Sequence, residues 1–324
     1  MNKALFKTFV VLFVCMLSHG VACAKMRVII DNDFAGDPDG IYALAQLLQS
    51  PSVEVRGIIG SHLHQGENWT AKGKPAAATA VANVNSFLQM VKQAGRYTMC
   101  QGSELPLADT LTPIRNAATE LIIREAMAAS VSEPLYVLCG GGLTEIASAW
   151  MLSPEIAERI VVVWIGGSEY PGIPAPPGSH GAEYNTAIDI KAAQVVFNRS
   201  DLTLWQVPRN VYRQSLISYA VLSDRFGNGG SVARYLLGLL ERHIGKDSPR
   251  ECYVLGDSPL VLLSALQSLW ESDAASSDYT WRPCPRVDDE GIFDFSKCGR
   301  QIKVFDKIDT YLMFEDMFAK LRRM

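Results

Sequence analysis

The chain has 324 residues, with 30 Lys and Arg against 34 Asp and Glu, a net charge of −4, and 48% hydrophobic residues. This composition excludes disorder, and the lack of a basic surplus argues against a nucleic-acid partner, which needs cations to neutralise phosphate. The length suits one large α/β domain with a single core.

Residues 1–24 read as a leader rather than as part of the fold. Lys3 and Lys7 form a basic start, Phe9 to Leu17 an apolar core, and Ala22-Cys23-Ala24 a small-residue cleavage site. Cleavage near Ala24 would leave a domain over residues 25–324, periplasmic or secreted and no longer tied to a membrane. Loss of the two lysines takes its charge from −4 to −6. Lipidation at Cys23 is a weaker alternative, because Gly20 stands where a leucine is wanted. No other apolar stretch is long enough to cross a membrane. Of the remaining cysteines, Cys100, Cys139 and Cys252 lie in apolar runs and are expected to be buried thiols. Cys284 and Cys298 flank a polar segment, and an exported chain would allow a disulfide between them. No Cys/His spacing suggests zinc.

The first element, Met26 to Ile30, is an apolar β-branched run. It ends in Asp31-Asn32-Asp33-Phe34-Ala35-Gly36-Asp37-Pro38-Asp39-Gly40, and a helical pattern through Ile41, Leu44, Leu47 and Leu48 follows. The order is strand, acidic loop, helix. In an open α/β sheet, ligands bind beyond the carboxyl ends of the strands, so these carboxylates should face a site. Crowded carboxylates repel and raise one another's pKa unless a cation neutralises them. Oxygen ligands without His or Cys favour Ca²⁺ or Mg²⁺. The structural alternative is that Asp39 caps the helix while Asp31 and Asp33 hold the turn.

Strand Val53 to Gly60 comes next, then helix Ala76 to Val91, strand Tyr97 to Gln101, the turn Gly102 to Leu107 and helix Asn116 to Ala129. Leu135 to Cys139 reads as a buried strand that meets Gly140-Gly141-Gly142 and a helix running through Trp150. Three glycines permit close backbone approach or positive φ. Their spacing fits neither GxGxxG nor a phosphate loop, so a carbonyl aimed into the site is as plausible as an anion cradle. Strand Arg159 to Ile165 follows, then Ala182-Glu183-Tyr184-Asn185 with Asp189, helix Ala192 to Phe197 and strand Leu202 to Val207. Ser215 to Leu269 reads as mostly helical, broken by Gly245 to Pro249 and by Leu255 to Pro259. A hairpin-like pair, Thr280 to Cys284 and Arg300 to Phe305, precedes a closing helix, Thr310 to Leu321. The alternation predicts a mostly parallel central sheet flanked by helices, without repeats or an internal linker.

Four of these stretches together resemble the nucleoside hydrolases, the inosine-uridine-preferring N-ribohydrolases. Asp31 to Leu44 is similar to the DTDxGxDxDDxxAL form of the family's opening loop, and Gly140 to Ala147 to TGPLTNIA. Ala182 to Ala193 is similar to AEFNxxxDxxAA, Gly102 to Leu107 to GAxxPL, and Asp257 falls at the late aspartate of the family. The resemblance implies hydrolysis of the N-glycosidic bond of a nucleoside or related ribosyl compound, with Ca²⁺ as cofactor. Asp33 would bind Ca²⁺ and act as base toward a water held at the ion. Asp37 or Asp39, Asp257 and the Gly140 carbonyl would complete the metal site, and Asp39, Glu183, Asn185 and Asp257 would hold the ribose. A homo-oligomer, and a place in purine and pyrimidine salvage, are further implications.

Two departures from the family pattern stand out. Gly40 replaces an aspartate that ligates calcium, so either Asp37 substitutes or metal binding is weakened. Gly256 replaces the His that protonates the leaving base, which leaves His62, His64, His180 and Tyr184 as candidates by position. For Glu183 and Asn185 a cap on the next helix is the structural alternative, and for Asp257 a cap before Ser258-Pro259. A strand ending in DxD also opens the haloacid dehalogenase-like phosphatases, but no later Lys and acidic pair completes that set. The main rival is a sugar- or nucleoside-binding protein that keeps the fold without turnover.

Overall fold

Strand β1 (Met26–Asn32) is buried along almost its whole length, as its near-continuous apolar run requires of a central parallel strand. In the computed structural model, which describes residues 25–66, 74–128, 133–245, 249–267, 277–322 and 324, β1 pairs in parallel with β2 (Val53–Gly60) on one side and β4 (Leu135–Cys139) on the other. The leader assigned to residues 1–24 lies outside the described residues.

The main sheet has eight strands in the order β3-β2-β1-β4-β5-β6-β12-β9. Here β3 is Met99–Gln101, β5 Ile160–Ile165, β6 Thr203–Val207, β9 Asp278–Pro283 and β12 Gln301–Lys307, while β10 (Arg286–Val287) and β11 (Phe293–Asp294) pair with each other outside this sheet. The first seven run parallel, and β9 alone is antiparallel, against β12. The two strands at the chain's end therefore pair as the sequence indicates. They do so at the edge of the main sheet rather than as a separate hairpin, because β12 also joins β6.

Helices cover both faces. On one, α1 (Asp39–Leu48) and the apolar α10 (Ser258–Ala265) pack together with α11 (Thr310–Leu321). On the other, α3 (Ala117–Ala126) and α4 (Thr144–Leu152) enclose a second core with Trp164, Phe197 and Val137. Helix α2 (Ala76–Met90) starts after Pro75, and Glu104, in the turn after β3, accepts hydrogen bonds from its Ala77 and Ala78 amides. The helix expected over 192–197 forms as α6 (Ile190–Gln194), after the short α5 (Tyr184–Ile188), and widens into a π-helical turn, Val195–Arg199.

The region from Ser215 is less helical than its pattern suggests. Helices α8 (Tyr219–Gly227) and α9 (Ser231–Ile244) are present, but β7 (Leu216–Ser218) and β8 (Cys252–Val254) bracket them as an antiparallel pair after the short α7 (Arg209–Tyr212). Three-residue strands carry too little alternation to show in a window of helical length.

The cysteine expectations are met in part. Cys100 and Cys139 are buried free thiols, whereas Cys252 is exposed on β8. Cys284 and Cys298 are also free. The Cys284 thiol turns into the core against the Phe197 carbonyl oxygen, at 3.6 Å, while Cys298 is exposed beside the Phe295 carbonyl oxygen. No disulfide joins them, because β9 directs Cys284 inward.

Candidate functional site

Strand order reverses between β1 and β4, whose neighbours lead away in opposite directions. The crevice beyond the carboxyl ends of such a pair is where an open α/β sheet binds ligands. Here it is a cavity of about 180 Å³, walled by Asp33, Asp37 and Asp39 after β1, by Gly140 after β4, by Ile165, Glu183, Tyr184 and Asn185 after β5, and by Tyr212, Val254, Gly256 and Asp257. The structure thus brings together every residue that the sequence nominated for metal or ribose. A larger cleft of about 420 Å³ lies near Gln194, Asn198 and Arg286. Several of its polar groups are already bonded, Gln194 to Asp288 and Asp289, Asn198 to the Val287 carbonyl and Lys297 to Asp294.

Neither Asp39 nor Asp257 makes a capping bond, although Asp257 occupies the N-cap position of the helix that follows it. Helix α1 has Pro38 at its cap position and no side-chain cap bond, and Asp257 makes none on α10. Instead Asp39 Oδ2 accepts from the Asp257 amide (3.1 Å), which ties the start of α1 to the start of α10 across the cavity. Asp257 Oδ2 accepts from Asn32 Nδ2 (2.8 Å). Asp37 is held by the hydroxyl of Tyr253 on β8.

Burial pushes the carboxyls of Asp33 and Asp39 well above the usual range, and the negative charges of Asp257 and Asp37 add to the rise. Asp257 is pushed up to about 7, mainly by burial, against the lowering effect of the Asn32 amide. Among the described residues no Lys or Arg pairs with any of these acids, and no three His, Cys, Asp or Glu side chains form a ready-made cage. Oxygen-bearing side chains, Asp33, Asp37, Asp39, Glu183, Asn185 and Asp257, dominate the lining.

The Gly140-Gly141-Gly142 turn serves close approach. None of the three has positive φ. A Cβ on Gly140 would lie 2.2 Å from Asn32 Nδ2 and 2.9 Å from Asp257 Cγ, so only glycine lets β4 end against these side chains. Asn185 Nδ2 donates to the carbonyl oxygens of Gly140 (3.0 Å) and Ile165 (2.7 Å), spanning the ends of β4 and β5. Glu183 is a helix cap that also lines the cavity. Its Oε2 accepts from the Gly167 and Thr186 amides, the latter capping α5, while Oε1 accepts from the Tyr212 hydroxyl (2.9 Å) and the residue still lines the cavity. Asp189, by contrast, is structural, caps α6 and accepts from the Leu107 amide and the Thr144 hydroxyl.

The histidines stand elsewhere. His62 is buried between Thr144 Oγ1 and the Leu63 carbonyl, and His64 and His180 are exposed and line no part of the cavity. Of the four candidates for leaving-group acid, only Tyr184 lines it. A side chain at Gly256 would start 3.2 Å from Asp39 Oδ2 and 3.6 Å from the Tyr212 ring, so the missing group opens space between them. Sequence reasoning missed Asn32, Tyr212 and Tyr253. Asn32 lay inside the motif, but only contacts across the fold reveal its place, and Tyr253 lies on the strand that was read as part of a helical region.

Comparison with known proteins agrees with this geometry. The inosine-uridine preferring nucleoside hydrolase family matches residues 28–275. An inosine-uridine preferring nucleoside hydrolase of Leishmania major is 36% identical over 102 residues, covering 31% of this chain and 31% of that protein, so the chain matches about a third of that relative's length. A probable ribonucleoside hydrolase of Dictyostelium discoideum is 23% identical over 205 residues, covering 57% and 58%. Among solved structures, a plant nucleoside hydrolase superposes with a TM-score of 0.69 at 18% identity, covering 92% of this chain and 99% of its own. A purine-preferring ribonucleoside hydrolase of Gardnerella vaginalis gives 0.70 at 18%, covering 91% and 98%. With the family's match spanning most of the sequence, and the acidic cavity lying at the switch point of the matching fold, the chain belongs to the inosine-uridine preferring nucleoside hydrolase family.

Proposed function

We propose that this chain hydrolyses the N-glycosidic bond of a nucleoside or closely related ribosyl compound, with Asp33 as general base and Ca²⁺ as cofactor. The observation that carries the reading is the convergence of Asp33, Asp39 and Asp257 on one small cavity with no Lys or Arg among the described residues paired to them. Such a cluster fits a hard cation, since burial and the neighbouring acids otherwise make ionisation of each carboxyl costly.

Asp33, Asp37, Asp39, Asp257 and the Gly140 carbonyl oxygen would hold the ion. Bound Ca²⁺ would supply positive charge that anchors hydroxyl oxygens and lets the surrounding carboxyls ionise. Asp33 would then take a proton from the attacking water. The remaining carboxylates stabilise the positive charge that develops on the ribose as the C–N bond lengthens. Asp39, Glu183, Asn185 and Asp257 would orient the ribose hydroxyls. Glu183 and Asn185 are suited to this because their bonds to Gly167, Thr186, Tyr212, Gly140 and Ile165 fix their rotamers before substrate arrives. At Gly256 the chain supplies no proton donor, which favours substrates whose leaving group departs without much assistance. The leader over residues 1–24 would place this activity outside the cytoplasm, in the periplasm or the medium, where it would serve salvage of nucleosides.

The test is release of reducing sugar from a panel of purine and pyrimidine nucleosides by residues 25–324, with Ca²⁺ and with chelator, beside Asp33→Asn. Ribose release that chelator and the substitution both abolish is the expected result. Ca²⁺ binding without cleavage of any nucleoside would replace the enzyme reading with that of a binding protein.

A further inference from the structure

Asn32 fills the space in front of Gly40. A Cβ on Gly40 would lie 2.9 Å from Asn32 Oδ1 and 3.1 Å from its Cγ and Nδ2, so the amide sits where a side chain at position 40 would begin. In the family's opening motif these two positions carry threonine and aspartate. Here the larger polar side chain has moved from the helix to the strand, and the loss at 40 is matched by a gain at 32.

The amide is wholly buried. Its Nδ2 donates to Asp257 Oδ2 at 2.8 Å, which fixes the orientation of the group. Its Oδ1 has no hydrogen-bond partner among the described residues. A buried amide oxygen left unpaired is destabilising and calls for an explanation, of which an absent ion is one. Asp257 and Gly140, between which the amide is packed, both wall the acidic cavity. Amide carbonyls are ordinary Ca²⁺ ligands.

We propose that Asn32 Oδ1 is a Ca²⁺ ligand, a neutral oxygen supplied from β1 that replaces the carboxylate missing at Gly40. The assignment rests on the calcium reading above. It gives the site one fewer negative charge than a site with aspartate at position 40. Ligand charge count tunes Ca²⁺ affinity, so binding should be weaker than in such a site but retained.

Calorimetric titration of the chelator-treated protein with Ca²⁺ alone tests this, with thermal unfolding in chelator to confirm that each variant folds. Asn32→Ala should weaken Ca²⁺ binding at least tenfold. Asn32→Asp, which keeps the oxygen and discards the donor to Asp257, should bind at least as tightly as the unaltered chain. If Asn32→Ala does not fold, Asn32→Thr decides: alone it should weaken binding, and combined with Gly40→Asp it should restore it. Unchanged affinity in a folded Asn32→Ala would overturn the assignment while leaving the calcium reading intact. So would an Asn32→Asp as weak as Asn32→Ala, which would show that the amide acts by positioning Asp257. Failure of the unaltered chain to bind Ca²⁺ would overturn both.

Discussion

The two ends of β1 treat buried acid in opposite ways. At the amino end, Arg27 reaches Glu125 of α3 at 3.0 Å, and Arg56 of β2 reaches the same carboxylate at 2.8 Å. Burial would raise the pKa of Glu125, but hydrogen bonds and charge from the two guanidiniums outweigh it and hold the carboxyl below its ordinary value. At the carboxyl end, Asp33, Asp39 and Asp257 are raised, by burial first and then by one another's proximity or that of Asp37. An acid supplied with its own cations is part of the scaffold. A set left without them is destabilising until a partner arrives, and is where function is expected.

Substitutions at the two ends should therefore part activity from stability. The largest effect is expected from Asp33→Asn, which should lower nucleoside turnover about 10³-fold, as loss of a general base does. It should also raise the melting temperature in chelator, because it removes one repelled charge; a lower melting temperature would show that Asp33 is structural. Next is Arg27→Ala. It leaves Glu125 with Arg56 and, at 3.8 Å, Arg124, and should cost about 1.5 to 3 kcal/mol of stability in denaturant titrations, with kcat for the folded fraction unchanged.

A smaller effect separates the ends by pH. The raised acids contribute stability that is complete below their unfolded pKa, about 4, and lost as pH rises through their folded values, about 7 for Asp257. Chelated protein should therefore melt on the order of 5 °C lower at pH 8 than at pH 6, and saturating Ca²⁺ should flatten the slope. Glu125 works the other way, contributing above its unfolded pKa and losing its contribution as pH falls through the lowered folded value. Glu125→Gln should thus leave the slope between pH 6 and 8 intact and blunt only the loss in acid. The smallest effect is expected at Tyr253→Phe, which frees Asp37. Loss of that one bond should weaken Ca²⁺ binding by no more than about tenfold; a larger change would make Asp37 the main substitute for the carboxylate missing at Gly40.

How far the sequence reveals this contrast depends on the range of the contacts involved. The parallel sheet and the acidic loop were legible because each follows from strand–loop–helix units read one at a time, whereas the switch point depends on the strand order. Asp39 and Asp257 could be nominated from motifs, yet their mutual bond across the cavity could not. Asn32 was hidden for the same reason: its role depends on the absence of a side chain at Gly40 and on the approach of Gly140, from two other segments. The β7–β8 pair was missed because its strands are three residues long, and Tyr253 was missed with it. The free thiols of Cys284 and Cys298 show the limit of spacing, since inward and outward placement at a strand end depends on pairing with β12 and not on the residues between.

The carboxylates of Glu183 and Asp189 accept hydrogen bonds from the amides of Gly167 and Leu107, on two other stretches of chain, and from those of Thr186 and Ala192, in the helices they cap. The Gly167 and Leu107 amide protons meet solvent when the segment from Glu183 to Asp189 lifts away, and the caps at Thr186 and Ala192 open as that segment frays. The four should therefore exchange with deuterium together, at one common rate, as a single opening unit. Ligand that rests on Glu183 would slow all four at once, including Leu107 and Ala192, which line no part of the cavity. Exchange at those two remote amides would thus report occupancy of the site.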